Sequence, residues 1–442
     1  MNIQLSEHFT YKKLLRFTLP SIIMIIFTSI YGVVDGFFVS NYVGKTPFAA
    51  VNFIMPFLMI LGAVGFMFGT GGSALISKTM GEGDHEKAKC IFSLLIYVSL
   101  ICGIVIAILG IIFVRPIASL LGADQMLDNC TLYARIILLA LPAFILQYEF
   151  QSFFVTAEKP QLGLAVTVAA GVTNMVLDVL FVVVFRLGLA GAAAATAMSQ
   201  VVGGFIPLIY FARKNTSLLC LTKTKFDRKV LLKTCMNGSS ELMTNISMSV
   251  VSMLYNIQLM KYADENGVAA YGVLMYINMI FLATFIGYAV GTAPIIGYHF
   301  GMENTKELKS ILKKSTVIIG AFAIGMLLLA ELLAYPLAKI FVGYDIELLK
   351  LTLQAFRIFS FSFLFAGFVI FASSFFTALN DGLTSALISF LRTLVFQIAA
   401  VMILPLLFAI IGIWISIVAA EIIALIVTVF FIIGKKNKYH YL

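Results

Sequence analysis

Asp35 and Asp178 each lie inside a long apolar run, where a bilayer would exclude a charge. A charge at the centre of a membrane span costs about 2.5–3.5 kcal/mol on insertion scales, so each carboxylate needs a use. Asn174 precedes Asp178 by four residues and shares its helix face one turn away. Thr196 falls at a similar depth in the following run. With 1.5 Å of rise per residue, the two carboxylates sit roughly 8 and 11 Å below one membrane boundary. Two carboxylates, an amide and a hydroxyl at one level offer oxygen ligands for Na⁺. They suit H⁺ equally, because one proton shared between close carboxylates removes their repulsion. A purely structural role would have them satisfy each other and tie helices together. Two membrane acids at one level favour ion coupling.

Other residues could bind a substrate. Glu241 lies in the inner half of the seventh apolar run and Glu421 midway along the twelfth, and both are candidates to meet a cationic solute. Glu149 and Glu331 are lesser candidates. Arg135 and Arg357 sit near a boundary and can snorkel to it. Arg392 is free to pair with an acid. Most of the 19 Met and 40 Phe face lipid, with a few left to line a binding surface. The five cysteines are scattered without a CxxC pair, and the four histidines lie in tails, loops or near a helix end. No metal site is expected beyond Na⁺ at Asp35, Asn174 and Asp178. The run Gly69-Thr70-Gly71-Gly72 has no strand before it and no GK[ST] after it, so it is not a phosphate loop.

The elements that must position these groups are membrane helices. The chain is 61% hydrophobic and 12% charged, about half the charge of a soluble domain. Its apolar runs exceed the ~18 residues that mark a spanning helix and do not alternate as barrel strands do. The runs predict spans near 14–40, 47–77, 90–113, 131–156, 162–185, 188–211, 235–260, 267–299, 314–341, 351–379, 383–408 and 411–433. The first is too long for a signal peptide and lacks a small-residue cleavage site, which predicts a retained helix.

Of 30 Lys and Arg, 21 fall in the tails and connections on one side and six on the other. That bias puts both termini in the cytoplasm. The net charge of +9 therefore reflects insertion, and no nucleic-acid partner is expected.

Shifted by about 221 residues, the chain matches itself. Gly69-Thr70 meets Gly291-Thr292, Pro116-Ile117-Ala118 meets Pro336-Leu337-Ala338, and Arg135-Ile136 meets Arg357-Ile358. Glu421 meets Gln200. Asp35 maps near Tyr255-Asn256 and Asp178 near Ala399-Ala400, so the acid pair belongs to one half only. Six spans per half give both halves one orientation. The expected fold is all-α and integral to the membrane, with twelve helices in two six-helix lobes related by a direct repeat. The expected division is 1–220 for the first lobe and 221–442 for the second.

Several runs resemble one family. They are Val33-Val34-Asp35 after Pro20, Gly69-Thr70-Gly71-Gly72-Ser73, Gly81-Glu82-Gly83-Asp84, Asn174-Met175-Val176-Leu177-Asp178, and Gly188 to Thr196. In that order they are similar to the multidrug and toxic compound extrusion family. The resemblance implies two six-helix bundles that export organic cations or hydrophobic compounds in exchange for Na⁺ or H⁺. It implies an ion site on Asp35, Asn174 and Asp178 with Thr196 nearby, and a seventh-helix acid at Glu241. Other members also use a tenth-helix acid, which this chain lacks. The bacterial branch implies the cytoplasmic membrane.

The expectation is therefore a secondary antiporter working by alternating access, not an enzyme. It would act as a monomer in the lipid bilayer on a small-molecule substrate, with no cofactor beyond the coupling ion. The alternative is a flippase for a lipid-linked precursor, which would line its cavity with cationic groups.

Overall fold

The computed structural model describes residues 3–120, 126–343 and 345–441. The first half comprises α1 (Tyr11–Phe38), α2 (Lys45–Gly81), α3 (His85–Leu120), α4 (Leu127–Leu139), α5 (Leu141–Thr156), α6 (Pro160–Asp178) and α7 (Gly188–Ala212). The second comprises α8 (Arg228–Gly301), α9 (Thr305–Val342), α10 (Ile346–Ser360), α11 (Phe363–Ala378), α12 (Gly382–Phe390) and α13 (Phe396–Tyr439). Short polar side chains start several of them. Thr10, Asp227, Asn304, Asp345 and Asp381 each accept a hydrogen bond from a backbone N–H in the first turn.

Five features turn thirteen helices into twelve spans, the first being that α12 runs on through a π turn, Leu391–Val395, into the first part of α13. The pairs α4–α5 and α10–α11 are single spans bent by 59° and 50°. The 74 residues of α8 are broken at Ala263 and Asp264, and α13 is broken at Ala409. Counted so, the described residues hold six spans on each side of the central connection. An even number of spans brings both termini to one end of the bundle.

The repeat extends to the backbone. Left-handed φ is uncommon outside glycine, so its recurrence is informative. Gly44 (φ 121°) is matched by Asp264 (φ 49°), and Gly83 (φ 87°) by Glu303 (φ 55°). Glu158 and Asn380, both at φ 59°, correspond in turn, as do Gly188 (φ 60°) and Ala409 (φ 49°). These four pairs are separated by 220 to 222 residues, the offset read from the sequence. Each marks the tight connection between equivalent spans.

Packing differs between the two ends. One continuous apolar core joins both halves at the end carrying the termini, through Phe17, Leu75, Phe150 and Phe375, and continues along the second half to Val342 and Leu348 at the other end. At the opposite end the first half keeps a separate core around Val39, Ile54, Val114, Tyr133 and Leu141. Where the core is shared, α1 and α2 lie against α8 with backbones almost touching. A Cβ on Gly238 would collide with the Met67 carbonyl, and one on Gly301 with the Lys78 carbonyl. Gly32 and Gly272, toward the other end, would meet nothing within 4 Å. Small residues let backbones approach this closely, and without them the shared core would separate.

Candidate functional site

The first half gathers its polar residues where two helices loosen. Asp35 sits one turn before a π-helical turn, Val39–Val43, that ends α1. Asp178 is the last residue of α6 and is followed at once by another, Val179–Val184. A π turn inserts one residue per turn and redirects the side chains beside it, which is why such turns recur at functional sites. α1 packs against α6, and α6 against α7, so the three helices bring their polar faces together.

The Thr196 hydroxyl donates to Asp35 Oδ1 at 3.2 Å and also reaches the Ala192 carbonyl at 3.1 Å. Asn174 and Asp178 face the Asp35 carboxylate from α6. Both are buried, and neither the Asn174 amide nor either Asp178 oxygen has a hydrogen-bond partner among the described residues. Buried polar groups are ordinarily satisfied, and each orphan costs about 1–3 kcal/mol. Oxygens left open beside a second carboxylate are of the chemistry that takes a small cation or a shared proton. No group of three or more His, Cys, Asp or Glu converges among the described residues, which leaves a transition-metal centre unsupported.

Tyr31 and Tyr133 also belong to this neighbourhood. Tyr31 lies one turn from Asp35 on α1, beside Gln147 of α5. Tyr133 of α4, fully buried, comes near Asp35 and Thr196. The four-residue spacing from Asp35 was the available signal for Tyr31. Tyr133 had none, because it arrives from a distant span.

The second half repeats the arrangement with neutral groups. Tyr255 donates to Gln397 Oε1 at 2.8 Å and shares a 2.7 Å hydrogen bond with Ser416 Oγ. Tyr255 and Ser416 stand 220 residues after Asp35 and Thr196, and Gln397 stands 223 after Asn174. Here Tyr255 links the other two side chains by hydrogen bonds, and none of the three is charged.

The candidate substrate acids part company. Glu421 is 5% exposed, and both its oxygens accept from Arg392 Nε at 3.0 and 2.9 Å, within the second half. Glu331 accepts from Ser360 at 2.5 Å. Glu149 is fully buried, with neither oxygen hydrogen-bonded among the described residues. Arg135 and Arg357 are exposed. Glu241 alone is half-exposed with no hydrogen bond or ion pair from its side chain among the described residues. It lies one turn from Gly238, whose backbone meets Met67.

The comparisons with known proteins agree with this architecture. The family described as MatE matches residues 20–180 and 242–403, one stretch in each half. The multidrug export protein MepA of Staphylococcus saprophyticus is 28% identical over 366 residues, 81% of this chain and 80% of its own. The MepA of Staphylococcus haemolyticus is 25% identical over 440 residues, 98% and 95% of the two chains. A crystal structure of MATE in complex with MaL6 superposes with a TM-score of 0.93 at 23% identity, covering 98% of each chain.

Proposed function

The chain belongs to the MatE family, and from that premise we propose that it is an antiporter that exports organic cations or hydrophobic drugs in exchange for H⁺ or Na⁺. The observation that carries the reading is the set of open oxygens on Asn174 and Asp178 facing Asp35, inside one half of a duplicated, membrane-spanning fold. The staphylococcal relatives, named as multidrug export proteins, support the class of cargo.

Coupling follows from geometry. An ion at Asp35 and Asp178 bridges α1 and α6, so it favours the arrangement of those helices that closes around it. Substrate between the halves favours another. Exchange requires only that each ligand bind the two arrangements with different affinity. The Lys and Arg bias puts the termini in the cytoplasm. On that orientation the core shared by both halves would lie toward the cytoplasmic side. Tyr255, Gln397 and Ser416 hold no charge, so ion coupling is asymmetric and belongs to the first half. The protein would work as a monomer in the cell membrane, since both halves lie in one chain.

The test is efflux of a fluorescent organic cation from proteoliposomes under an imposed pH gradient or an imposed Na⁺ gradient. The expected result is transport driven by one gradient and lost in Asp35→Asn and Asp178→Asn. Wild-type export by both variants would sink the reading, and transport of a lipid-linked precursor alone would replace it with a flippase.

A further inference from the structure

The chain turns back on itself at His440. The backbone there takes φ 54°, a left-handed conformation uncommon outside glycine. The His440 N–H donates to the Lys436 carbonyl at 2.8 Å as α13 ends. This turn returns Tyr441 to the bundle. Tyr441 is fully buried, with its ring edge-on to Phe375 of α11 at 5.2 Å between centroids. Its hydroxyl donates to the Ile432 carbonyl at 2.9 Å. Tyr439 is 9% exposed and donates to Asp381 Oδ2 at 2.8 Å, and Lys435 Nζ reaches the same oxygen at 3.4 Å. Terminal segments are poorly ordered unless something ties them down, and this one is tied to a single turn.

That turn crosses between the halves. Asp381 caps α12 by accepting from the Thr384 N–H at 3.3 Å, which fixes the connection of α11 to α12. The residue before it, Asn380, sits at φ 59° and donates to the Ala74 carbonyl of α2, in the first half, at 3.1 Å. Asn237 of α8 steadies it by donating to Asn380 Oδ1 at 2.7 Å. A second link runs through rings. Tyr439 lies 5.8 Å from Phe300 of α8, and the Phe300 ring lies 5.4 Å from Lys78 Nζ of α2, a cation–π distance. Ala74 and Lys78 are one turn apart on α2, at the level where Gly301 meets the Lys78 carbonyl.

We propose that the segment Lys435–Tyr441 is a latch that favours the arrangement in which the two halves meet at this end. Among the described residues its hydrogen bonds and ring contacts all fall in the second half, so it acts through what it positions. A segment biases a two-state balance only by stabilising one state more than the other. Parting the halves breaks the contacts of Asn380 with Ala74 and of Phe300 with Lys78. With the latch in place, Asn380 and Phe300 are already positioned each time the halves close. With it released, the turn and the ring must be ordered again at every closure, which weakens both contacts. Asp35 lies at the other end of α1 from this level, so the latch sets how readily the halves part and not which ion is taken.

The latch goes beyond the transport reading and is tested without a gradient. Spin labels on the α2–α3 and α8–α9 connections report how far the halves part at this end of the purified protein. They would be measured for wild type, Tyr439→Phe, Tyr441→Ala, Asn380→Gly, and Tyr439→Phe combined with Asn380→Gly. Tyr439→Phe removes one hydroxyl and keeps the ring against Phe300, and glycine accepts the left-handed backbone at position 380. Each single variant is expected to raise the fraction at long distance by roughly twofold or more, as loss of one hydrogen bond allows. The double variant is expected to rise no further than the larger single one, because the hydroxyl and the amide act in one chain of contacts. Unchanged distance distributions overturn the proposal. Additive shifts in the double variant also overturn it, since they would detach Tyr439 from Asn380. A lower melting temperature with unchanged distances does the same and leaves the segment a stabilising end only. Each of these results leaves the coupling reading standing, because that reading is judged on Asp35→Asn and Asp178→Asn.

Discussion

The backbone N–H of Leu5 donates to Glu158 Oε1 at 2.6 Å, tying the segment before α1 to the turn between α5 and α6. Four residues on, the Phe9 N–H donates to Glu307 Oε1 at 2.9 Å, and His8 Nδ1 meets the other oxygen of that carboxylate at 2.6 Å. Lys314 Nζ donates to the Phe9 carbonyl. Leu5 and Phe9 are fully buried. The segment thus bonds the first half through Glu158 and the second through Glu307 and Lys314, across the end where the core is shared. Hydrogen bonds to charged groups contribute about 1.5–3 kcal/mol each, enough to shift a two-state balance tenfold or more. The double variant Glu158→Gln, Glu307→Gln should raise the fraction open at this end, read as a longer distance between spin labels on the α2–α3 and α8–α9 connections. An unchanged distance distribution would show the segment to be a passive tail.

The Thr196 hydroxyl donates to the Asp35 carboxylate from another helix, at 3.2 Å. Thr196→Ala removes that donor but leaves both carboxylates. Ion affinity should fall by roughly tenfold, the worth of one hydrogen bond to a charged group, while Thr196→Ser restores it. The measurement is the ion concentration for half-maximal efflux. Equal constants in all three proteins would count against Thr196 in the ion site.

Gly238 meets the Met67 carbonyl so closely that no side chain fits between them. Gly238→Val should hold the halves apart, and export should fall at least tenfold with membrane insertion intact. Cysteine pairs across α2 and α8 near this level should then fail to crosslink. Efficient crosslinking in the variant would mean that the backbones can part and close around a valine.

Arg392 and Glu421 form a buried pair, 13% and 7% exposed at their side chains. Removing one partner strands the other, at about 3–5 kcal/mol for a buried pair. Arg392→Leu or Glu421→Leu alone should lower the melting temperature in detergent clearly. The double variant should recover most of the loss and retain export. Loss of export in a stable double variant would return Glu421 to the substrate path.

Glu241→Gln should weaken binding of monocationic dyes by tenfold or more, with little effect on uncharged hydrophobic substrates. Equal loss for charged and uncharged substrates would assign Glu241 to the conformational change.

Sequence alone determined the spans, because a lipid environment demands about twenty apolar residues per helix and leaves few alternatives. It also determined the duplication, since landmark residues such as Pro116 and Pro336 recur at one offset. That Asp35, Asn174, Asp178 and Thr196 could share one level was legible because helical rise is constant, and Thr196 does bond Asp35. Only the tertiary structure decided what each polar group meets. Glu421 and Glu241 look alike as lone acids in apolar runs, yet one is held by Arg392 and the other is half-exposed, one turn from the Gly238–Met67 contact. Tyr133 joins the ion neighbourhood from a separate span, with no local signal. The physical reason is that periodicity sets which residues share a helix face. Which face meets which neighbour depends on tilt, on kinks such as those at Ala140 and Ala409, and on how closely glycines let two helices approach. Those depend on side-chain volumes contributed from far along the chain.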